Sequence, residues 1–573
     1  MGEYLSPGVY VEEFDSGAVP MEGVSTSTTG FIGLAEKGPV GGVPVLITNF
    51  GDFTRVFGGF LPEKEFGVYR YLAYAVYHYF VNGGSRCYVS RVVPDDAEAA
   101  VYQKEGEGLE LKITAKNPGA WGNKIKINLS PASKAKTQII EVIEEEGGPK
   151  KYRVKNSADF NVGDVVAFND GSEIVYNEVS GAEEGVLEFA EEFTVDVVDT
   201  GLVPQKLLFT CEMDMEISHG EVVESYDNVS FNSNAANHIS NKILKSELVN
   251  LQVNIEGEAL PPYQLLTGEE QGTSTISLNG GSDGSQDKVD SGTYIGQDKG
   301  PGNRTGIEAF IDNGEASIMA VPGLTDPNVQ LSLVAHCENL GSRFAILDTP
   351  RDSKKVPDVL VHKDIIDSQY CALYHPWVII FDPLSKNNIS APPSGSVAGV
   401  YSRSDQERGV HKAPANEIVR GCVGLDCHYN AGEQSVLNPK GVNLIRAFQG
   451  QGIRVWGART CSSNALWKYI NVRRLYIFIE ESIKANTSWV VFENNEPALW
   501  ARVRRTIENF LTDLWRGGAL SGNSPAEAFF VDIGRTTMSQ DDIDNGRLIC
   551  VIGVAAVKPA EFVIFRITQK TNE

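Results

Sequence analysis

The sequence predicts a multidomain chain of mixed α+β and α/β class, with an α/β core, an inserted β-rich, barrel-like region and extended arms at both ends. Three observations carry this expectation. The chain has 573 residues, which at ~100–200 residues per domain means about three to five domains. Its hydrophobic fraction of 42% and charged fraction of 22% are those of ordinary folded protein. The period of the apolar residues also changes twice, to sustained alternation after residue 100 and back to strand–helix–strand order after residue 306.

Residues 1–30 read as an extended arm: Pro7, Pro20 and the run STSTTG break any helix, while VYVEEF alternates like a short strand. One strand alone is unstable and needs a sheet edge elsewhere. Residues 31–99 form the first part of the core, with strand FIGLAEKG, a helix over 66–82 ending at Gly83-Gly84, and strand CYVSRVV. Residues 100–265 are the β-rich insertion (LELKITA, NKIKINL, TQIIEVI, YRVKN, DVVAF, VLEFA), with a turn-rich small barrel nested at about 135–200. Residues 266–440 are the second part of the core. They begin with a Gly/Ser/Asp/Thr-rich loop to 306, then strand ASIMAVPG, a helix from Asp326-Pro327 to Gly341, strand RFAILD, a helix over 356–368 and strand PWVIIFD. This alternation implies right-handed crossovers and a largely parallel sheet. Residues 441–545 are a C-terminal mixed unit, with strands GIRVWGAR and SWVVFE and a helix over 497–516. That helix carries Leu499, Val503, Ile507, Phe510, Leu511 and Leu514 on one face and Arg502, Arg505, Asn509 and Arg516 on the other. Residues 546–573 are closing strands, RLICVIGVAAV and EFVIFRITQ.

Charge and cysteine usage exclude several classes. The net charge is −25, opposite to the basic balance with which nucleic-acid binders replace phosphate counterions. Residues 101–270 hold 14 Lys/Arg against 30 Asp/Glu, a net of −16, and residues 440–520 hold 12 against 6, a net of +6. The insertion therefore reads as solvated and outward, and the C-terminal unit as able to face an acidic partner. The eight cysteines are scattered, mostly in apolar runs, as buried thiols of a reducing compartment are. No apolar run approaches a membrane span. The N-terminus does not read as a signal peptide, and the Gly2/Ser6 spacing of a myristoylation signal reads as chance beside Pro7.

Specific blocks then appear. YLSPGVYVEEFDSG (4–17) resembles the start of contractile tail sheath proteins. So do NPGAWGNKIKINL (117–129), GSDG with GPGNRTGIEAF (281–310), AVPGLTDPNV (320–329) and FAILDTP (344–350) resemble later parts of the family. The longest similar block is APPSGSVAGVYSRSDQERGVHKAPANEIVRG (391–421), followed by similar stretches over 443–483 and 489–500. The barrel-like stretch departs from many shorter sheaths. The resemblance implies a mixed α/β sheath core and a non-enzymatic subunit of stacked hexameric rings around a tail tube. Its partners would be itself, the tube, and baseplate and tail terminator proteins, with no nucleic acid, membrane insertion, cofactor or metal. It would belong to the phage virion, be assembled in the bacterial host cytoplasm, and contract from a metastable extended state to drive the tube through a cell envelope.

The same resemblance, with the charge pattern, makes 441–545 the tube-facing unit and Arg502, Arg505 and Arg516 its tube contacts. It makes Val9, Tyr10, Val11, Phe562, Val563, Ile564 and Phe565 the strands exchanged between subunits, which accords with strand addition and heterologous polymerisation. Catalytic patterns are weak. Gly280-Gly-Ser-Asp-Gly284 fits G-x-S-x-G but lies in a loop. Cys422, Cys427 and His428 lack a second ligand pair for zinc, and Asp283, Asp287 and Asp290 lack EF-hand spacing. His411 and Lys412 read as a structural loop. Three classes stay open on residues alone: a sheath, another virion or injection-machine component, and a soluble enzyme. A tube subunit is shorter and mostly β, and an enzyme would carry motifs that are missing here.

Overall fold

Six parallel strands form the centre of the molecule: β1 (Thr29–Leu34), β2 (Cys87–Val92), β3 (Ile318–Ala320), β4 (Phe344–Asp348), β5 (Cys371–His375) and β6 (Val442–Phe448). The structure is a computed structural model describing residues 21–106, 108–144, 150–170, 173–199, 206–255 and 260–564. The strands lie in the order β2-β1-β3-β4-β5-β6, and short antiparallel strands extend both edges. Every residue of β1, β4 and β5 is buried, because helices cover both faces of the sheet. On one face, Phe31, Tyr374 and Phe344 pack under helices α1 (Leu72–Val81) and, later in the chain, Ser394–Arg408. On the other, Ile32, Met319 and Leu347 pack under α2 (Pro327–Leu340).

Local chemistry sets these boundaries. The Asp326 carboxylate accepts from the Asn328 N–H at 2.7 Å, Pro327 occupies the first turn of α2, and Gly341 ends it at φ 68°. The Ser394–Arg408 helix, α3, begins beneath the fully buried Asp348, which accepts from the Ser394 N–H and Oγ and from the Gly323 N–H. Its two glycines let it lie directly on α1. A Cβ on Gly395 would stand 2.4 Å from Ala75 Cα, and one on Gly399 would stand 2.4 Å from the Tyr79 carbonyl oxygen.

The chain runs from β1 to β2 on one side and resumes at β3 on the other, so the strand order reverses there. The insertion leaves and re-enters at this reversal through a neck where Glu98 pairs with Ser282 and Val101 with Asn279. Beyond the neck, a four-stranded and a three-stranded sheet share one core of Leu109, Ile113, Ile127, Leu129, Met215 and Val249. The strand Ser274–Ser277 pairs with Lys126–Ala132, so part of the expected 266–306 loop belongs to this layer. Farther out, a seven-stranded sheet surrounds Tyr152, Phe168, Val179 and Leu187. Among the described residues the expected barrel-like unit does not close into a barrel. The sheet's two edge strands, Lys136–Thr137 and Ile139–Ile143, adjoin through Gln138 but do not pair with each other.

Two other expectations need correction. The strand Val378–Asp382 does not join the parallel sheet but forms a small antiparallel sheet, and the parallel position belongs to β5, a wholly buried segment without alternation. The expected strand SWVVFE is a 3-10 turn at Ser488–Val490 followed by a loop in which Phe492 is wholly solvent-exposed at φ 69°. The remaining elements are α4 (Ile470–Asn486), α5 (Pro497–Arg516), β7 (Phe529–Ile533) and β8 (Cys550–Val554).

Gly399→Ala tests the α1–α3 contact. In an exposed helix this change gains up to about 1 kcal/mol. Here the added methyl meets backbone, and overpacking costs about 1–3 kcal/mol. The expected outcome is net destabilisation, read as a lower apparent Tm by calorimetry.

Candidate assembly surface

The C-terminal unit is built on α5. Leu499, Val503, Ile507, Phe510 and Leu511 are buried against β7, while Leu514 is half-buried. On the opposite side the three arginines differ. The Arg502 guanidinium stacks 4.5 Å from the Trp489 ring centre and donates to Glu493 at 3.2 Å. Arg516 lies 3.8 Å from Asp513, one turn earlier. Arg505 is exposed and has no partner among the described residues. Eleven residues make three helical turns, so Arg505 and Arg516 share one stripe about 16 Å apart, and Arg502 lies to its side.

Beneath α5, β7 and β8 form an antiparallel pair, Phe529–Ile533 against Cys550–Val554. Among the described residues no third strand lies on either edge. Phe530 and Val551 are exposed on this pair at 58% and 45%. Two strands are marginal alone, and open edges are templates for further strands.

Two segments near the limits of the described residues are held at or beside α4. At its C-terminal end the Asn486 side chain accepts from the Glu22 N–H (3.3 Å) and donates to the Glu22 carbonyl (2.8 Å), while Ser482 Oγ accepts from the Val24 N–H (3.1 Å). Farther in, Arg474 makes a two-pronged contact with Asp405 (2.6 and 2.9 Å) and donates to the Thr26 carbonyl. Just before the start of α4, Glu561 accepts from two of the three guanidinium nitrogens of buried Arg459 at 2.7 Å, from the Asn438 amide at 2.7 Å and from the Tyr469 hydroxyl at 3.0 Å. Burial alone would raise the Glu561 carboxyl, but the bonds from Arg459 and Asn438 and the Arg459 charge outweigh it and hold the pKa at about 2. The Asn471 amide donates to the Val557 carbonyl at 3.1 Å, and a groove of about 980 Å³ runs beside this C-terminal segment.

Of the expected exchange residues, Val9, Tyr10, Val11 and Phe565 lie outside the described residues. Phe562, Val563 and Ile564 are exposed at 70%, 69% and 79% and are not in a strand here. Glu561, Asn486 and the Asp405–Arg474 pair escape sequence reasoning, because each pairs with residues distant in the chain. The weaker chemical patterns resolve into structural roles. Asp283 accepts from the Ala120 N–H, and Asp290 caps a short helix. Burial raises the thiols of Cys422 and Cys427, opposite to what a nucleophile needs. Lys412 closes its loop onto Glu417 and two carbonyls. His375 bonds Thr349 and Tyr429 inside the core. Among the described residues no group of three or more His, Cys, Asp or Glu is arranged to hold a metal, and no helix is long and apolar enough to cross a membrane.

Residues 299–461 match the phage tail sheath protein central domain, and residues 462–570 match the phage tail sheath C-terminal domain. A putative prophage major tail sheath protein of Pseudomonas aeruginosa is 24% identical over 287 residues, spanning 48% of this chain and 71% of that protein. The tail sheath protein of Escherichia phage P2 is 24% identical over 208 residues, 34% of this chain and 52% of its own length. The sheath complex of the PVC extracellular contractile injection system, in its contracted state, superposes with a TM-score of 0.52. That match covers 100% of this chain and 99% of the other at 21% identity, a likeness of fold.

The arginines' different surroundings give different expectations. Arg502→Ala removes an ion pair and a ring stack, a loss of about 0.5–1 kcal/mol. Arg505→Ala removes no ion pair or hydrogen bond among the described residues and is expected to leave unfolding unchanged. Thermal melts of the two variants check this.

Proposed function

We propose that this chain, whose residues 299–570 match the central and C-terminal domains of phage tail sheath proteins, is a sheath subunit that polymerises as stacked hexameric rings around an inner tail tube and contracts to drive the tube through a cell envelope. The observation that supports this most directly is the β7–β8 pair, which has no third strand among the described residues, in a subunit whose segments at Glu22 and Glu561 are held at and beside the neighbouring helix α4. In this reading Val9, Tyr10 and Val11 of one copy and Phe562, Val563, Ile564 and Phe565 of another add strands to those edges. Main-chain hydrogen bonds join the copies, and side-chain pockets set the register. Donor and acceptor surfaces differ, so the contact is heterologous and propagates as a helix.

The tube faces α5. Arg505 is the arginine best placed for an acidic tube surface, since it has no partner among the described residues, with Arg516 farther along the same stripe. Arg502 serves chiefly to hold the loop before α5. Exposed ion pairs contribute about 0–1 kcal/mol each, which suits a contact that must release. The acidic insertion coats the outside. Baseplate and terminator proteins hold the two ends of the polymer, within a virion assembled in the bacterial host cytoplasm. The work is mechanical: the extended lattice is metastable, and the contracted one buries more surface.

Expression of the chain alone, imaged by negative-stain electron microscopy, tests this. Hollow, helically striated tubes are expected. A monomer that also fails to coat an added tail tube would refute the reading. Arg505→Glu is expected to leave self-assembly intact and to reduce coating of the tube.

A further inference from the structure

Sequence and fold leave unexplained why a carboxylate so near the chain's end is held by so many groups. Glu561 sits on a segment whose next three residues are exposed, yet Arg459, Asn438 and Tyr469 all donate to it and Lys468 approaches to 3.6 Å. Arg459 is itself buried, so its charge is matched only if Glu561 stays in place. At the opposite end of α4, Asn486 binds the Glu22 backbone through both its oxygen and its nitrogen, as a neighbouring strand would.

The helix between the two clamps is firmly set in the core. Arg474 is tied to Asp405, and Arg473 bonds Glu480 and stacks between the Trp467 and Tyr370 rings at 4.6 and 4.8 Å. Its 17 residues span about 25 Å at 1.5 Å per residue.

We propose that Glu561 and Asn486 are positioning residues that clamp the two arms, Glu561 to Arg459, Asn438 and Tyr469 beside the start of α4 and Asn486 at its end, so that this helix and its flank fix the separation at which the arms leave the subunit. The inference rests on the sheath reading and deepens it. Strand exchange between copies is an intramolecular-like event once one contact exists, and its efficiency depends on the span between the sites. Arms leaving from fixed points present their strands to neighbouring edges in one geometry. Arms freed from their clamps present them in many, and the lattice loses its order.

The experiment uses the full chain with Glu561→Ala, Glu561→Gln, Asn486→Ala and, as a control, Glu247→Gln, which touches only an exposed pair with Arg55. Limited proteolysis of the soluble subunit reads arm release, thermal melting reads the fold, and electron microscopy reads lattice order. Glu561→Ala is expected to speed cleavage beyond Lys558 about tenfold, a free-energy change near 1.4 kcal/mol, and, because it leaves buried Arg459 unmatched, to lower the melting temperature as well. Asn486→Ala is expected to speed cleavage before Val24 as much, with little change in melting. Both are expected to give disordered or short polymers, with Glu561→Gln intermediate and the control like the parent. If the parent polymerises and both alanine variants match it in cleavage and lattice order, the inference is overturned while the sheath reading stands. If the parent forms no polymer even on an added tube, the sheath reading fails, and the cleavage rates alone decide whether the clamps exist. If Glu561→Ala melts early, Glu561→Gln decides: a parental cleavage rate overturns the clamp, and a raised one upholds it.

Discussion

The Asp405–Arg474 pair is the contact on which the assembly surface depends. Both side chains are almost fully buried, which costs several kcal/mol per ion unless the geometry is good. Here the guanidinium meets the carboxylate with two nitrogens, Thr26 donates its hydroxyl to Asp405, and the Tyr401 ring lies 4.8 Å from the Arg474 guanidinium carbon. Asp405 comes from α3, packed on the central sheet, Arg474 from α4, and Thr26 from the segment that leads into β1. Three parts of the chain meet at one buried charge pair. Loss of either partner would leave an uncompensated charge, a penalty of about 3–5 kcal/mol, and would loosen the N-terminal root from the helix that carries it.

From that point the molecule is arranged outward by decreasing restraint. The parallel sheet is covered on both faces and tolerates no added methyl where α3 meets α1. The insertion hangs from a two-bridge neck and has its own cores. Where its layers meet, Lys134 is paired with buried Asp164 and Glu212, which fixes the outer sheet to the inner one. The acidic excess of the insertion is therefore carried by layers with cores of their own, tied to the central unit at the neck and by contacts such as that of Arg91 with the Pro118 carbonyl.

How much of this was legible follows from the range of each interaction. The helix over 497–516 matches its expected bounds because Pro497, the amphipathic stripe and Gly517-Gly518 are all local signals. The α2 caps were equally plain. Strand β5 was missed because a segment buried on both faces has no alternation to read, and the neighbouring PWVIIFD looked stronger. SWVVFE misled because aromatic and β-branched residues favour strands even where, as here, Phe492 points into solvent. The barrel expectation found the strands but not their closure, since closure is a matter of pairing between segments. The charge asymmetry pointed to the unit that carries α5 as a candidate contact face. It did not separate Arg505 from Arg502, because Glu493 and Trp489 reach only the latter. The Glu561–Arg459 clamp joins residues 102 apart, and nothing in a single sequence marks such a pair.

In the sheath reading, contraction needs subunits that move against one another while staying joined. A densely packed interior has no second arrangement of similar energy to offer, so the change must lie between subunits. The paired strands at β7–β8 cannot be the moving part either, because sliding by one residue would turn every side chain to the wrong face. The freedom that remains is in the stretch between each clamp and the neighbour's sheet edge. A clamp at Glu561, only a few residues past β8, therefore makes that stretch begin at a defined point. In that reading what precedes the clamp moves as one body with α4, so one residue's placement sets the boundary between lever and hinge.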